Sequence, residues 1–199
     1  MIPKGAVALL PLLGELACQL WPGSDPALFA GQIEQETCPS LESKLCWNPR
    51  AELKTSREYG FGLGQLTITE RFDNYREATK TIKELGDWKW ENRYDPRMQM
   101  IALVSMDRRL WVSAGDLAST PVDRVAFMLS SYNGGFGGLL SDRRLCATTP
   151  GCDKTKWFKN VEATSLKAKL AASGYGKSFY QINREYVSNV LLKRMPRYF

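Results

Sequence analysis

Gln35-Glu36-Thr37 closes a helical pattern that opens at Asp25-Pro26. Three further segments follow it along the chain: Gly60-Phe61-Gly62-Leu63-Gly64-Gln65, Ser131-Tyr132-Asn133-Gly134-Gly135 and Tyr186-Val187. Ser24 or Asp25 can supply an N-cap and Pro26 a first-turn residue, so a helix is predicted from about Pro26 to Glu36. That helix sets one carboxylate at its end. The glycine-rich turn carries an amide side chain, and two tyrosine-bearing segments arrive from far along the sequence.

Outward from these segments the pattern is helical almost throughout. Leu9, Leu12, Leu13, Leu16 and Leu20 fall at the spacing of an amphipathic helix. Residues 38–59 read as a long loop holding Pro39, Asn48 and Pro49, and a polar segment runs from Thr69 to about Leu85. Asp95-Pro96 starts a strong helix through Met100, Leu103, Val104 and Trp111. Thr120-Pro121 starts another, with Val122, Val125, Ala126 and Leu129 as its core face, and Gly134 and Gly135 stop it. Phe179, Ile182, Tyr186 and Val190 line a last helix, which Pro196 closes. Nothing alternates with period two for long, so the expected class is mainly α with little or no sheet. At 199 residues the chain is expected to form a single domain, 1–199.

Composition narrows the chemistry. The 27 Lys and Arg against 21 Asp and Glu give a formal charge of +6, which favours approach to a polyanion. Lys193, Arg194 and Arg197 are the densest basic group and read as a helix-end cap, so nucleic acid is not an expected partner. The chain has no histidine, which excludes a Ser-His-Asp or Cys-His nucleophile and removes the commonest zinc ligand. Cys18, Cys38, Cys46, Cys146 and Cys152 lack the C-x-x-C steps of a zinc ribbon, and no metal is expected. Two local disulfides, Cys38–Cys46 and Cys146–Cys152, with Cys18 as a buried thiol, suit an oxidising compartment. Free cysteines in the core are the other reading. Pro11 and Glu15 interrupt the apolar start at residues 6–13, which argues against a signal peptide, and no stretch reaches the ~20 apolar residues of a bilayer span. The expectation is a soluble, unprocessed chain with no stable membrane insertion.

Glu36 is the candidate for acid chemistry. Glycosidic cleavage needs a carboxylic acid that protonates the leaving oxygen while positive charge develops on the sugar ring. A glutamate at a helix C-terminus beside an apolar cleft has its pKa raised both by burial and by the partial negative charge of the helix end. Gly60, Gly62 and Gly64 would let backbone approach a sugar closely. Gln65 and Asn133 offer directional hydrogen bonds, and Tyr132 and Tyr186 combine a ring face with a hydroxyl. Taken singly, each has an ordinary structural reading: a solvated glutamate, a turn, two core tyrosines. The ordered set of four segments is what points to a site.

These four segments resemble the catalytic domain of the soluble lytic transglycosylases, lysozyme-like enzymes that cut peptidoglycan. The family's Glu-Ser pair becomes Glu36-Thr37 and its Gly-Leu-Met-Gln turn becomes Gly62-Leu63-Gly64-Gln65. Its Ala-Tyr-Asn-Ala-Gly becomes Ser131-Tyr132-Asn133-Gly134-Gly135, and its last helix carries Tyr186-Val187. The likeness runs from about Gln32 to Leu192, and Ser56 falls where the family has a serine ahead of the turn. Gly64 in place of methionine, a longer loop around Cys38 and Cys46, and Ile182 in place of an acid depart from the pattern. The resemblance implies a lysozyme-like fold of the goose-type lysozyme and lytic transglycosylase kind, with Glu36 as catalytic acid and then base. It implies Ser56, Gly62, Leu63, Gln65, Tyr132, Asn133 and Tyr186 as substrate contacts, no cofactor, and a monomer acting on peptidoglycan glycan strands.

Two other readings compete. A goose-type lysozyme shares a Gly-Phe-Gly-Leu turn like Gly60-Phe61-Gly62-Leu63 but hydrolyses the bond with further aspartates, whose positions here hold Ser56 and Thr67. A non-enzymatic wall-binding or virion-structural protein would keep the cleft only for glycan capture. The compact basic chain suggests a phage endolysin made in the host cytoplasm and acting on periplasmic peptidoglycan of a Gram-negative host, with a virion-associated lysin as the alternative.

Overall fold

The computed structural model describes residues 1–167, 169–172 and 175–199. Among these it has seven α-helices and one three-stranded sheet, and the chain divides into two compact units. One unit comprises residues 1–106 with 190–199; the other comprises residues 107–189.

The first unit opens with α1 (Lys4–Leu20), which buries Ala6, Leu13, Leu16 and Ala17. Leu9, Leu12 and Leu20 are only half-buried, and Cys18 is exposed rather than the buried thiol expected. One residue further round the helix from Ala17 turns a side chain by about 100°, which carries Cys18 off the packed stripe. Then α2 (Pro26–Thr37) follows as the sequence predicts: the Asp25 carboxylate accepts from Ala27 N–H at 2.9 Å and Pro26 sits in the first turn. Every residue from Ala27 to Glu34 is buried, so α2 is a core helix rather than an amphipathic one.

The loop expected over 38–59 is not all loop. It contains β1 (Glu52–Lys54), which pairs antiparallel with β2 (Tyr59–Phe61), and β2 pairs with β3 (Leu66–Ile68). Strands of three residues are too short for a period of two to register in the sequence. Next comes α3 (Asn74–Thr81), capped by Asp73, whose carboxylate accepts from Arg76 N–H at 2.8 Å. Finally α4 (Pro96–Ala114) starts at the predicted Asp95-Pro96 signal, and its residues up to Met106 belong to this unit. The unit is completed by a 3₁₀ turn, Met195–Tyr198, packed on α2. Gly31 makes that packing possible, because a Cβ there would lie 2.8 Å from the Met195 nitrogen.

In the second unit α5 (Pro121–Gly134) packs against α6 (Phe136–Ala147) and α7 (Phe179–Ser188). Thr120 caps α5 by accepting from Asp123 N–H at 3.1 Å, and Gly135, at φ +77°, ends it. The buried face is Ala126 to Ser131, while Val122 is exposed, contrary to the predicted stripe. No sequence signal announced α6, since its first turn is Phe136-Gly137-Gly138 and glycine is a poor helix former. A reciprocal capping box between Ser178 and Gln181 starts α7. Its buried stripe is Asn183, Tyr186 and Val187; Phe179 is exposed and Ile182 half-buried, so the stripe is rotated from the one predicted.

Candidate active site

Two glutamates end α2, and the fold treats them differently. Glu34 is fully buried. Its carboxylate accepts from Arg194 Nη1 at 2.8 Å and from the Tyr198 hydroxyl at 2.8 Å, with Arg197 Nη1 at 3.3 Å. The neighbouring Gln35 Oε1 takes the Arg194 Nε–H at 2.7 Å. Arg194 and Arg197, read from sequence as the cap of a helix end, therefore neutralise a buried carboxylate instead. Burial, and then the hydrogen bond to Glu34, hold the Tyr198 phenol well above the ordinary tyrosine range. Glu36, the residue singled out from sequence, is half-buried in the last turn of the same helix. At 3.6 residues per turn its side chain leaves the axis about 200° from that of Glu34.

Thr37 and the following loop fix this helix end. The Thr37 hydroxyl donates to Ile33 O at 2.6 Å and accepts the Trp47 N–H at 2.9 Å. Trp47 sits in the left-handed region at φ 57° and is nearly fully buried, and its indole N–H donates to the Tyr198 hydroxyl at 3.0 Å. A Cys38–Cys46 disulfide closes the loop between Thr37 and Trp47, and a Cys146–Cys152 disulfide closes the turn after α6. The backbone that carries Glu36 is thus held by one disulfide and by a chain of hydrogen bonds running from Thr37 to Trp47, Tyr198 and Glu34.

The glycine turn is organised by amides from within the protein. Gln99, at the start of α4 and almost fully buried, accepts from Leu63 N–H at 2.8 Å. It donates to Pro49 O at 2.9 Å and to Arg93 O at 2.8 Å. Gly62, at φ +79°, has the Gln99 carboxamide 2.5–2.7 Å from where a Cβ would stand, and Gly60 has Gln65 Oε1 at 2.9 Å. At both glycines a carboxamide of the protein itself takes the room a side chain would need, and at Gly62 the left-handed backbone adds to that, a structural reason that stands beside the expected approach of a sugar. Gln65, itself at φ 44°, donates from Nε2 to Gly62 O at 2.9 Å and Ala51 O at 3.1 Å, so its nitrogen serves the turn and only its oxygen is left to meet a ligand. Leu63 is fully buried and offers a backbone position rather than a side-chain contact. Ser56 is exposed at the tip of the β1–β2 hairpin, at the opposite end of β2 from Gly62. The structure brings Gly62, Leu63 and Gln65 together and leaves Ser56 apart from them.

In the second unit the Tyr132 and Tyr186 rings stack, centroids 6.3 Å apart and 13° from parallel. Tyr186 is buried and Tyr132 half-buried. Asn133 is exposed, and its Oδ1 accepts from Asn183 Nδ2 at 3.1 Å. Asn183 also donates to Ser130 O and accepts from the Ser130 hydroxyl, both at 3.0 Å, which ties α7 to α5. Beside it Arg184 reaches Asp142 at 2.9 Å and the carbonyls of Val161, Glu162 and Thr164. Lys167 approaches the same fully buried carboxylate at 2.7 Å, and burial holds its pKa below the ordinary lysine value.

Sequence reasoning missed Gln99 and Asn183, the two carboxamides that hold these groups. One signal was present: each is a polar residue set among apolar helix positions, Met100 beside the first and Tyr186-Val187 after the second. Among the described residues there is no group of three His, Cys, Asp or Glu side chains fit to hold a metal ion, and no helix is long and apolar enough to cross a membrane. No protein-family model matches the chain, and no curated protein is significantly similar to it.

Proposed function

We propose that this chain is a peptidoglycan lytic transglycosylase with Glu36 as its acid and base. The observation that carries the reading is the placement of Glu36, half-buried at the C-terminal turn of α2 on a backbone locked by Thr37 and the Cys38–Cys46 disulfide. Glu34, on the other side of the helix, is fully buried and held by Arg194, Arg197 and Tyr198. A protonated Glu36 gives its proton to the oxygen linking N-acetylmuramic acid to N-acetylglucosamine, and the bond from that oxygen to the muramyl C1 breaks. The substrate N-acetyl group stabilises the cationic centre. The Glu36 carboxylate then takes the proton of the muramyl 6-hydroxyl, whose oxygen bonds to C1 and closes a 1,6-anhydro ring. Glu36 ends protonated and no water is consumed. A tethered hydroxyl has the advantage of an intramolecular nucleophile. The biological setting of the proposal is lysis of a Gram-negative host by a phage endolysin.

Hydrolysis would need a second carboxylate to deprotonate water. The goose-type positions hold Ser56, exposed on the hairpin tip, and Thr67, whose hydroxyl donates to Gln65 O at 2.9 Å. Asp73 is occupied as the cap of α3. Glu36→Gln keeps the shape of the side chain and removes the proton, so it should lower lysis of permeabilised Gram-negative cells by at least ~10² while the protein stays folded. Digested sacculi should yield muropeptides ending in 1,6-anhydro-N-acetylmuramic acid, one water lighter than lysozyme products and resistant to borohydride. Near-normal lysis by the Glu36→Gln protein, or mainly reducible ends, would overturn the reading.

A further inference from the structure

The first unit carries an aromatic cluster that the proposed chemistry does not use. Phe61, Tyr75, Trp88 and Trp90 meet edge to face or tilted, with centroids 5.0 Å apart for Tyr75–Trp88, 5.2 Å for Tyr75–Trp90 and 5.4 Å for Phe61–Trp90. The inner members are fixed as core: Phe61 is fully buried, Trp88 is 4% exposed, and the Tyr75 hydroxyl donates to Trp88 O at 2.6 Å. The outer members reach solvent. Trp90 is 38% exposed, and Tyr59, 6.2 Å from it, and Tyr94 are half-buried.

These outer rings are held in place by charge. The Tyr59 and Tyr94 hydroxyls both donate to Glu52 Oε1, and these bonds keep the Glu52 carboxyl below its ordinary pKa. Arg93 Nη2 donates to the Tyr94 hydroxyl at 2.8 Å, and its guanidinium lies 4.6 Å above the Trp90 ring and 4.3 Å above that of Tyr94. Arg50 lies 4.8 Å above Tyr94. Trp90 keeps more than a third of its surface in solvent, and fixing it and its neighbours costs side-chain entropy. The arrangement is a preorganised set of rings with an anionic acceptor at the hydroxyls of Tyr59 and Tyr94 and guanidinium donors over the rings of Trp90 and Tyr94. A pyranose ring presents the matching chemistry, C–H bonds on its face and hydroxyl or N-acetyl groups around its rim. The place in the chain also fits a polymer: Phe61, at the centre of the cluster, is followed directly by Gly62 of the glycine turn.

We propose that the face formed by Tyr59, Trp90 and Tyr94 is a glycan-binding subsite that stacks a further pyranose ring of the strand; this rests on the reading of peptidoglycan as substrate. Rings supply stacking that an aliphatic side chain of similar bulk does not. Three proteins test this in the Glu36→Gln background: the parent, Trp90→Leu and Trp90→Phe. Each is measured by co-sedimentation with purified sacculi and by fluorescence titration with chitohexaose, after circular dichroism has checked the fold. Trp90→Leu should weaken both interactions about tenfold and Trp90→Phe should restore most of the loss. Parent-like binding by Trp90→Leu, or an equal loss in both variants, would overturn the subsite. If Trp90→Leu fails to fold, Tyr94→Leu against Tyr94→Phe carries the same comparison with the same expected and overturning results. Failure of the substrate reading looks different: the unsubstituted protein then neither binds nor cleaves sacculi, and the subsite falls with it. Cleavage by that protein together with unchanged binding in the ring variants rejects the subsite alone.

Discussion

At Gly62 a single hydrogen atom decides whether the turn can form. The residue sits at φ +79° and faces the Gln99 carboxamide, whose atoms come within 2.5–2.7 Å of a built Cβ. Alanine there strains the backbone and pushes Gln99 away from Leu63, Pro49 and Arg93, so Gly62→Ala should cost about 3 kcal/mol in urea unfolding. Adding Gln99→Ala should relieve part of that cost, because residues in contact couple non-additively; strictly additive losses would show that Gln99 is not what excludes the side chain. The two glutamates of α2 make a second test. Glu34→Ala leaves Arg194 and Arg197 without their buried partner, a loss of about 3–5 kcal/mol, whereas Glu36→Gln, which keeps the size of a half-buried side chain, should act on lysis far more than on the fold. If the two variants showed the reverse pattern, with Glu34 governing lysis and Glu36 stability, the assignment of roles would be exchanged.

Among the elements, the end of α2 and the turn after α6 are each closed by a disulfide. Loops this short restrict the unfolded chain only modestly, so reduction should remove about 2–3 kcal/mol or less per bond. Cys18 is exposed, so alkylation of the native, unreduced protein should modify one thiol without denaturant, as read by intact mass. Modification only after unfolding would contradict the exposed position. Three helix starts read from sequence, Asp25-Pro26, Thr120-Pro121 and Asp95-Pro96, carry side-chain caps and each marks a true start, while α1, read from its leucine spacing, has no side-chain cap. A cap is a local event between neighbours and leaves a local trace. By contrast α6 hides behind glycines, and β1 to β3 are three residues each, too short to show a period. The candidate site divides the same way. Glu36 could be placed from the length of one helix, but Gln99 meets Leu63 across 36 residues and Arg194 meets Glu34 across 160, and no local pattern encodes such pairings.

At the scale of the whole chain, the first unit is completed from both ends, since residues 190–199 belong with residues 1–106. Contacts of such long sequence separation form late in folding, because the loop must close before they contribute. Tyr198 is the point where this return meets the candidate site: its hydroxyl donates to Glu34 at 2.8 Å and accepts from Trp47 at 3.0 Å. Burial and the Glu34 carboxylate raise its pKa above the unfolded value of ~10. Below about pH 10 both folded and unfolded states keep the proton, and the contribution of Tyr198 is fully present. As pH rises past that value the unfolded chain releases the proton while the folded one holds it, so stability falls. Tyr59 and Tyr75 are raised by burial as well, so the wild-type slope alone does not isolate one residue. Tyr198→Phe does. At pH 7 it should cost about 2 kcal/mol, the scale of a hydrogen bond to a charged group. The gap between wild type and variant should then narrow steadily above pH 10, measured by urea unfolding at a series of pH values. A gap that stays constant to pH 11, or widens, would mean that the Tyr198 proton is not held by the fold and that the clamp on Glu34 rests on the two arginines alone.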